Sequence, residues 1–336
     1  MQPPAFSKAF LYRWPKRGWA RRRLWRRVRV GIGRILMPWD GNAAPHWHQI
    51  SDFGSNPGRL ALRVFQPERA MAPGAPMIML LHGCLQTAEE FAISGGWVEA
   101  ATRHGFVLLL PEQTAANHQA RCFSWFNDAD TSRGQGEVLS LRQMIQAALR
   151  RFRADPERVF VAGLSAGGAM AAALLAAYPE SFAAGAVIAG LPVGCAGSAG
   201  EAWLRMHDAG PARLSEIEWA ERITRRVAHR GRWPRLSIWH GDADQVVDPG
   251  NGENLVRQWT ALHGLDLGKV TEEQVSPGVI RRRWGDGAAP EVEAWRIAGL
   301  DHGFPVSSDP ARRRPASQWV HRAPVDATDA IFRFWQ

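Results

Sequence analysis

Residues 158–170 read RVFVAGLSAGGAM, and the order of features in this stretch decides the fold class. The run at 158–163 is apolar from Val159 onward, the pattern of a strand buried on both faces. It enters Gly163-Leu164-Ser165-Ala166-Gly167, a G-x-S-x-G pentapeptide, and leaves into an Ala- and Leu-rich stretch at 169–178 that reads as a helix ending before Pro179. A serine in a sharp strand-to-helix turn needs glycine on either side, because side chains there clash with the turn. Such a turn lifts the hydroxyl out of the sheet edge and sets it at a helix N-terminus, which favours negative charge. The pentapeptide alone is common in Gly- and Ala-rich chains; the strand before it and the helix after it make it informative. The other reading of Ser165 is a helix cap in a tight turn.

Working outward, apolar runs at 77–81 (MIMLL), 106–111 (FVLLLP), 185–190 (GAVIAG), 235–240 (RLSIWH) and 292–299 (VEAWRIAG) predict further strands, with an alternating early strand at 59–66 ended by Pro67. Between them, Val138, Leu141, Ile145, Leu149 and Phe152 recur at spacings of three and four, an amphipathic helix over 137–152. Helices are also predicted at 251–263 and 325–334. Strands alternating with helices imply a mostly parallel, twisted sheet with helices on both faces. Residues 191–234 are too long for an ordinary connection and carry Trp203, Trp219 and Trp233, so they read as a small Trp-rich cap inserted between strands.

A serine nucleophile needs a base to accept its proton and a carboxylate to fix the tautomer of that base. Where the serine stands in such an elbow, the chain order is Ser, then Asp or Glu, then His. Beyond the strand 235–240, the sequence GDADQVV offers Asp242, Asp244 and Asp248. Asp244 is favoured because it lies in the loop just past the strand, with Val246 and Val247 re-anchoring the chain; Asp242 reads as a brace of the turn. The last strand runs into GLDHG, where His302 follows the carboxyl end, the rim at which sites of open α/β sheets gather. His240 and His321 are the competing histidines. Tetrahedral intermediates also require N–H donors facing the developing oxyanion. One is expected from Ala166, the residue after the serine, and the other from the loop His82-Gly83-Cys84-Leu85-Gln86, with Cys84 ahead of Leu85. His82 reads as a ring that braces this loop. Gln86, Trp125, Leu164 and Phe304 are expected to line the substrate site.

The 336 residues, 46% hydrophobic and 22% charged, suit a folded chain with a core large enough to need neither metal nor disulfides. The net charge of +9 suggests nucleic-acid binding until it is located. Residues 1–39 hold eleven Lys or Arg and no acid; removing those from 41 basic residues leaves 30 against 32 acidic ones, a net of −2. The body therefore has no electrostatic footprint for nucleic acid. The basic tail, 1–39, reads either as a solvated arm or as an amphipathic helix; Leu24, Val28, Ile32 and Ile35 share one face, so that residues 8–36 could lie on a membrane surface or another polyanion. Arginines interrupt every apolar stretch near the N-terminus, so no cleavable export signal and no membrane span are expected. The catalytic body is placed at 55–336. Cys84, Cys122 and Cys195 are too widely spaced for a zinc site; one pair can be bridged with one thiol left over.

Together HGCLQ, RCFSWF, GLSAGGAM, GLPVGCA, HGDADQVV and GLDHG resemble the polyhydroxybutyrate depolymerase-type esterase family over roughly residues 60–305. That resemblance implies an α/β-hydrolase fold, no cofactor, and cleavage of a small ester or polyester: poly(3-hydroxybutyrate) or hydroxyalkanoate oligomers, or alternatively feruloyl or acetyl esters. It implies Ser165 as nucleophile, Asp244 as acid, His302 as base, Cys84 as an oxyanion donor, and a Cys84–Cys122 bridge, with free thiols the other reading. Many members of the family are secreted. Two segments differ from the family pattern: Asp301-His302-Gly303-Phe304-Pro305 stands where GHAWSGG is common, and Cys122-Phe123-Ser124-Trp125-Phe126 where CWNWF is common. A serine peptidase of the same fold is disfavoured because such enzymes usually carry an additional large domain. A reading from another class is a binding protein anchored by the basic tail.

Overall fold

The computed structural model describes residues 46–67, 74–210, 214–312 and 314–336. The basic tail and the helix considered for 8–36 lie outside these residues.

Ten strands form one sheet, in the order β1 (His46–Gln49), β2 (Ala61–Gln66), β4 (Val107–Glu112), β3 (Met77–Leu81), β5 (Val159–Leu164), β6 (Ala184–Ile188), β7 (Arg235–Gly241), β10 (Val292–Ile297), β9 (Val279–Trp284) and β8 (Thr271–Ser276). From β4 to β10 neighbouring strands are parallel; β1 and β2 on one edge, and β9 and β8 on the other, are antiparallel. Strand order reverses beside β3, and in open α/β sheets ligand sites form at the carboxyl ends of the strands beside such a reversal. The strands expected at 77–81 and 158–163 appear within one residue of those bounds. β1 begins ahead of the residue-55 boundary expected for the body.

The central strands are buried on both faces, and their alternate residues divide between two cores. Met77, Met79 and Leu81 face α4 (Gly136–Phe152), α5 (Ala166–Ala177) and α8 (Gly250–Leu262); Ile78 and Leu80 face α1 (Ala88–Ser94), α2 (Trp97–His104) and α9 (Ala327–Trp335). All twelve residues of α5 are buried, which its Ala and Gly content permits by allowing the helix close to the sheet.

The insertion expected as a Trp-rich cap holds α6 (Ala199–His207) and α7 (Glu216–Thr224). Its tryptophans serve different purposes. Trp219 is buried, and the Gln258 side chain on α8 donates to its carbonyl (3.0 Å) and to that of Val193 (3.0 Å). Trp233 packs edge-on against Trp259. Only Trp203 of the three is largely exposed, at 52%. Two of the three therefore hold the insertion onto the α8 side of the sheet. Among the described residues no helix is long and apolar enough to cross a membrane.

Candidate active site

Ser165 follows β5 directly and precedes α5, with φ 57° and ψ −121°. Non-glycine residues rarely adopt this conformation. Two backbone bonds hold it: Ser165 N–H donates to Ile188 O (2.8 Å), and Ala169 N–H donates to Ser165 O (2.9 Å). The flanking glycines are sterically required. A Cβ on Gly163 would stand 2.2 Å from Gly167 O, and one on Gly167 would stand 2.3 Å from Leu81 O.

The loop after β3 lies against this turn: a Cβ on Gly83 would be 3.5 Å from the Ser165 Cβ. His82 is fully buried, and its Nδ1 lies 2.7 Å from Gly83 O. A carbonyl only accepts, so Nδ1 carries the proton, and Nε2 accepts from Gln113 N–H (3.1 Å). Burial lowers the pKa of this ring, in keeping with a neutral tautomer. The carbonyl that His82 holds belongs to the same trans peptide as the Cys84 N–H, which therefore points the opposite way. His82 is a brace, as expected from the sequence. The two donor candidates also separate. Leu85 N–H is spent on Ala120 O (2.7 Å), whereas Cys84 N–H has no backbone partner among the described residues. Ala166 N–H, at the first helical position, has no intrahelical acceptor. A disulfide joins Cys84 to Cys122 and ties the donor loop to the loop carrying Trp125; Cys195 is free.

Beyond β7, the three candidate carboxylates do three different things. Asp242 Oδ1 accepts from Gly299 N–H (2.7 Å), stitching the acid loop to the loop after β10. Asp248 accepts from Gly250 N–H (2.8 Å) and Ala209 N–H (3.1 Å), closing the start of α8 and holding the end of the α6 segment. Asp244 alone of the three meets a histidine: its Oδ2 accepts from His302 Nδ1 at 2.8 Å. Its Oδ1 accepts from the N–H groups of Val246 and Val247, both at 2.8 Å. Burial would raise the pKa of this carboxyl, but hydrogen bonds from His240 and His302 outweigh it and hold the group well below the usual carboxylate range.

His302 is buried with its ring edge-on to Trp319. The competing His321 sits behind it, its Nε2 donating to His302 O (2.9 Å). Asp301, which the sequence reading passed over, accepts from both His302 N–H (2.7 Å) and Gln245 N–H (3.1 Å), and so clips the loop after β10 to the loop after β7. An acid one residue before the histidine was the available signal. Strand register brings these loops to one rim. Leu164 pairs with Ile188 and Ile188 with Trp239, while Gly241 pairs with Ile297, so Ser165, Asp244 and His302 all follow carboxyl ends. No hydrogen bond joins Ser165 Oγ to His302 among the described residues. Such bonds often tighten only with substrate in place.

Of the residues expected to line the substrate site, Trp125 is partly buried and packs against a small cluster of Ala169, Leu191 and Val247, beside the Ser165 turn and the loop after β7. The side chains of the other three are buried. Leu164 points with Phe160 and Ala162 into the core beneath the sheet, following the alternation of β5. Phe304 is fully buried against Phe91, ring centroids 5.3 Å apart. Gln86 lies under the donor loop, its Oε1 accepting from Gly83 N–H (2.8 Å). Among the described residues no group of three or more His, Cys, Asp or Glu is arranged to hold a metal ion.

Comparison with known proteins shows the family and the fold. The family model described as esterase PHB depolymerase matches residues 60–272. Poly(3-hydroxyalkanoate) depolymerase C of Paucimonas lemoignei is 37% identical over 77% of this chain, which spans 62% of that protein's length. Feruloyl esterase B of Talaromyces funiculosus is 30% identical over 77% of this chain and 73% of its own. Among solved structures, an acetyl xylan esterase from Aspergillus awamori superposes with a TM-score of 0.72 at 22% identity, covering 86% of this chain and 98% of that one, and shows the α/β-hydrolase fold. With the family model matching well over half its length, this chain belongs to the esterase PHB depolymerase family.

Proposed function

We propose that the protein is a serine carboxylic-ester hydrolase working through an acyl-enzyme. The observation that carries this reading is the 2.8 Å hydrogen bond between the buried Asp244 carboxylate and His302 Nδ1, on the rim where the Ser165 turn stands. With its Nδ1–H donating a hydrogen bond to Asp244, His302 keeps the Nε2 lone pair for the serine proton. As Ser165 Oγ attacks the acyl carbon, that proton moves to His302 Nε2, and the oxyanion is held by the N–H groups of Cys84 and Ala166. The ester C–O bond then breaks and His302 returns the proton to the departing alcohol. Water then adds its oxygen to the acyl carbon while giving one proton to His302; the bond from that carbon to Ser165 Oγ breaks, His302 returns the proton to Oγ, and the acid departs.

For substrate we favour hydroxyalkanoate esters, polymeric or oligomeric, on the 37% identity to the Paucimonas lemoignei depolymerase. Feruloyl and acetyl esters are the second reading, supported by the feruloyl esterase relative. Ser165→Ala should abolish p-nitrophenyl butyrate hydrolysis while leaving the circular dichroism spectrum unchanged; turnover persisting in that variant defeats the assignment. A panel of hydroxybutyrate oligomers, feruloyl esters and acetyl esters given to the wild-type protein ranks the substrates, with the oligomers expected to show the highest kcat/KM.

A further inference from the structure

A second buried imidazole reaches the Asp244 carboxylate. His240, near the end of β7, places its Nε2 3.0 Å from Val247 O and 3.2 Å from Asp244 Oδ2. Both are acceptors, so Nε2 carries the proton and is shared between them. The other ring nitrogen has no partner among the described residues and faces Gly252, where an added Cβ would stand 3.1 Å away. Asp244 thus receives four donors: Val246 and Val247 N–H at Oδ1, His302 Nδ1 and His240 Nε2 at Oδ2. That fills the roughly four acceptor sites of a carboxylate.

We infer that His240 is a positioning residue which shares Asp244 Oδ2 with His302, fixing the plane of the carboxylate and limiting how strongly it favours protonated His302. This rests on the triad reading above. The physical argument is that each donor draws on the same negative charge. A carboxylate serving two rings stabilises the imidazolium of either one less than a carboxylate serving one. Through Val247 O the same ring also holds the acid loop at its height above the sheet. The charged and titratable groups facing His240 are Asp244 and His302 on one side and Asp242, Glu253, Arg282 and Arg296 around a cavity of about 130 Å³ on the other. Glu253 and Arg282 are paired with each other at 2.5 Å, which leaves Asp244 as the partner of the ring.

His240→Phe keeps the ring and removes the donor; His240→Gln keeps an N–H at the reach of Nε2. The experiment follows kcat/KM for p-nitrophenyl butyrate against pH in both variants. It also follows the His302 titration by NMR in the Ser165→Ala background with and without each substitution. The expected result for His240→Phe is an acidic limb, and a His302 midpoint, moved to higher pH by about 0.5–1 unit, with kcat lowered more than KM is changed. His240→Gln should return both to the wild-type positions. If His240→Phe does not fold, His240→Asn takes its place, since its shorter amide withdraws the donor from Oδ2. Midpoints that coincide with wild type in the Phe or Asn variant overturn the inference, as does a Gln variant that behaves like Phe. Should Ser165→Ala retain hydrolysis, the esterase reading fails by itself, while the NMR midpoints still decide whether the two rings share the carboxylate.

Discussion

Ser165 is held where a side chain is disfavoured, at φ 57° and ψ −121°, a conformation that costs on the order of 1–3 kcal/mol and persists only when its surroundings over-determine it. Those surroundings are the glycines at 163 and 167 and the bonds to Ile188 and Ala169. Asp244 shows the complementary case, a charge kept in the interior because every acceptor site has a donor. Asp244→Asn tests that at this scale. The amide nitrogen would face the protons of His302 and His240, so His302 could bond to it only by turning its lone pair toward Asn and its proton toward Ser165. The expected outcome is a fall in kcat of about 10³–10⁴-fold with the fold intact; a loss under tenfold would place the acid elsewhere. Ser165 was legible in the sequence because its glycines leave a spacing. The choice among Asp242, Asp244 and Asp248 was legible only as a preference, and Asp301 only as an acid beside the histidine, because the partner of each across the rim comes from another strand's loop.

At the scale of elements, α4 carries a group that periodicity assigns to solvent. Glu137 is the second residue of that helix yet is buried, with Gly58 so close that a Cβ there would stand 2.7 Å from its Cα. Its carboxylate accepts from Gln113 Nε2 (2.6 Å) and Ser124 N–H (2.9 Å), linking the segment that holds His82 to the loop of Cys122 and Trp125. Burial pushes its carboxyl up to about 7, against the opposing pull of those hydrogen bonds. A pKa raised on folding means a contribution to stability that is complete below about 4.5 and is lost as the pH climbs through about 7. The wild-type protein should therefore lose stability between pH 5 and pH 8, by at most about 1.4 kcal/mol for each pH unit separating the two values. Glu137→Gln should flatten that slope in urea unfolding at the two pH values; equal slopes in both proteins would show that Glu137 is not the source. The elements the sequence reading missed have their own reason. β8 is almost wholly exposed and pairs only along one edge with β9, so it lacks the apolar run that marked the central strands. The inward turn of Trp219 and Trp233 depends on Gln258 and Trp259 of α8, which no local pattern near residues 191–234 records.

For the whole molecule, charge and chemistry are separated along the chain. The family match begins at residue 60 and the described body at residue 46, after the eleven basic residues of the tail. Deleting residues 1–39 should leave ester hydrolysis unchanged and lower retention on anionic vesicles and on heparin at low salt, an attraction that salt screens. Retention equal to that of the full chain would remove the tail as an anchor. The sequence by itself determined the parallel sheet, the glycine-flanked serine turn and the chain order Ser165, Asp244, His302, because burial on both faces and a strained turn each demand particular residue types at short, fixed spacings. Only the tertiary structure decided which aspartate meets His302, which amide of the donor loop is left unspent, that Leu164 and Phe304 belong to the core, and that a second histidine shares the carboxylate. Those outcomes depend on hydrogen-bond partners and neighbours brought together from distant strands, and the distances between them exist only once the sheet has formed.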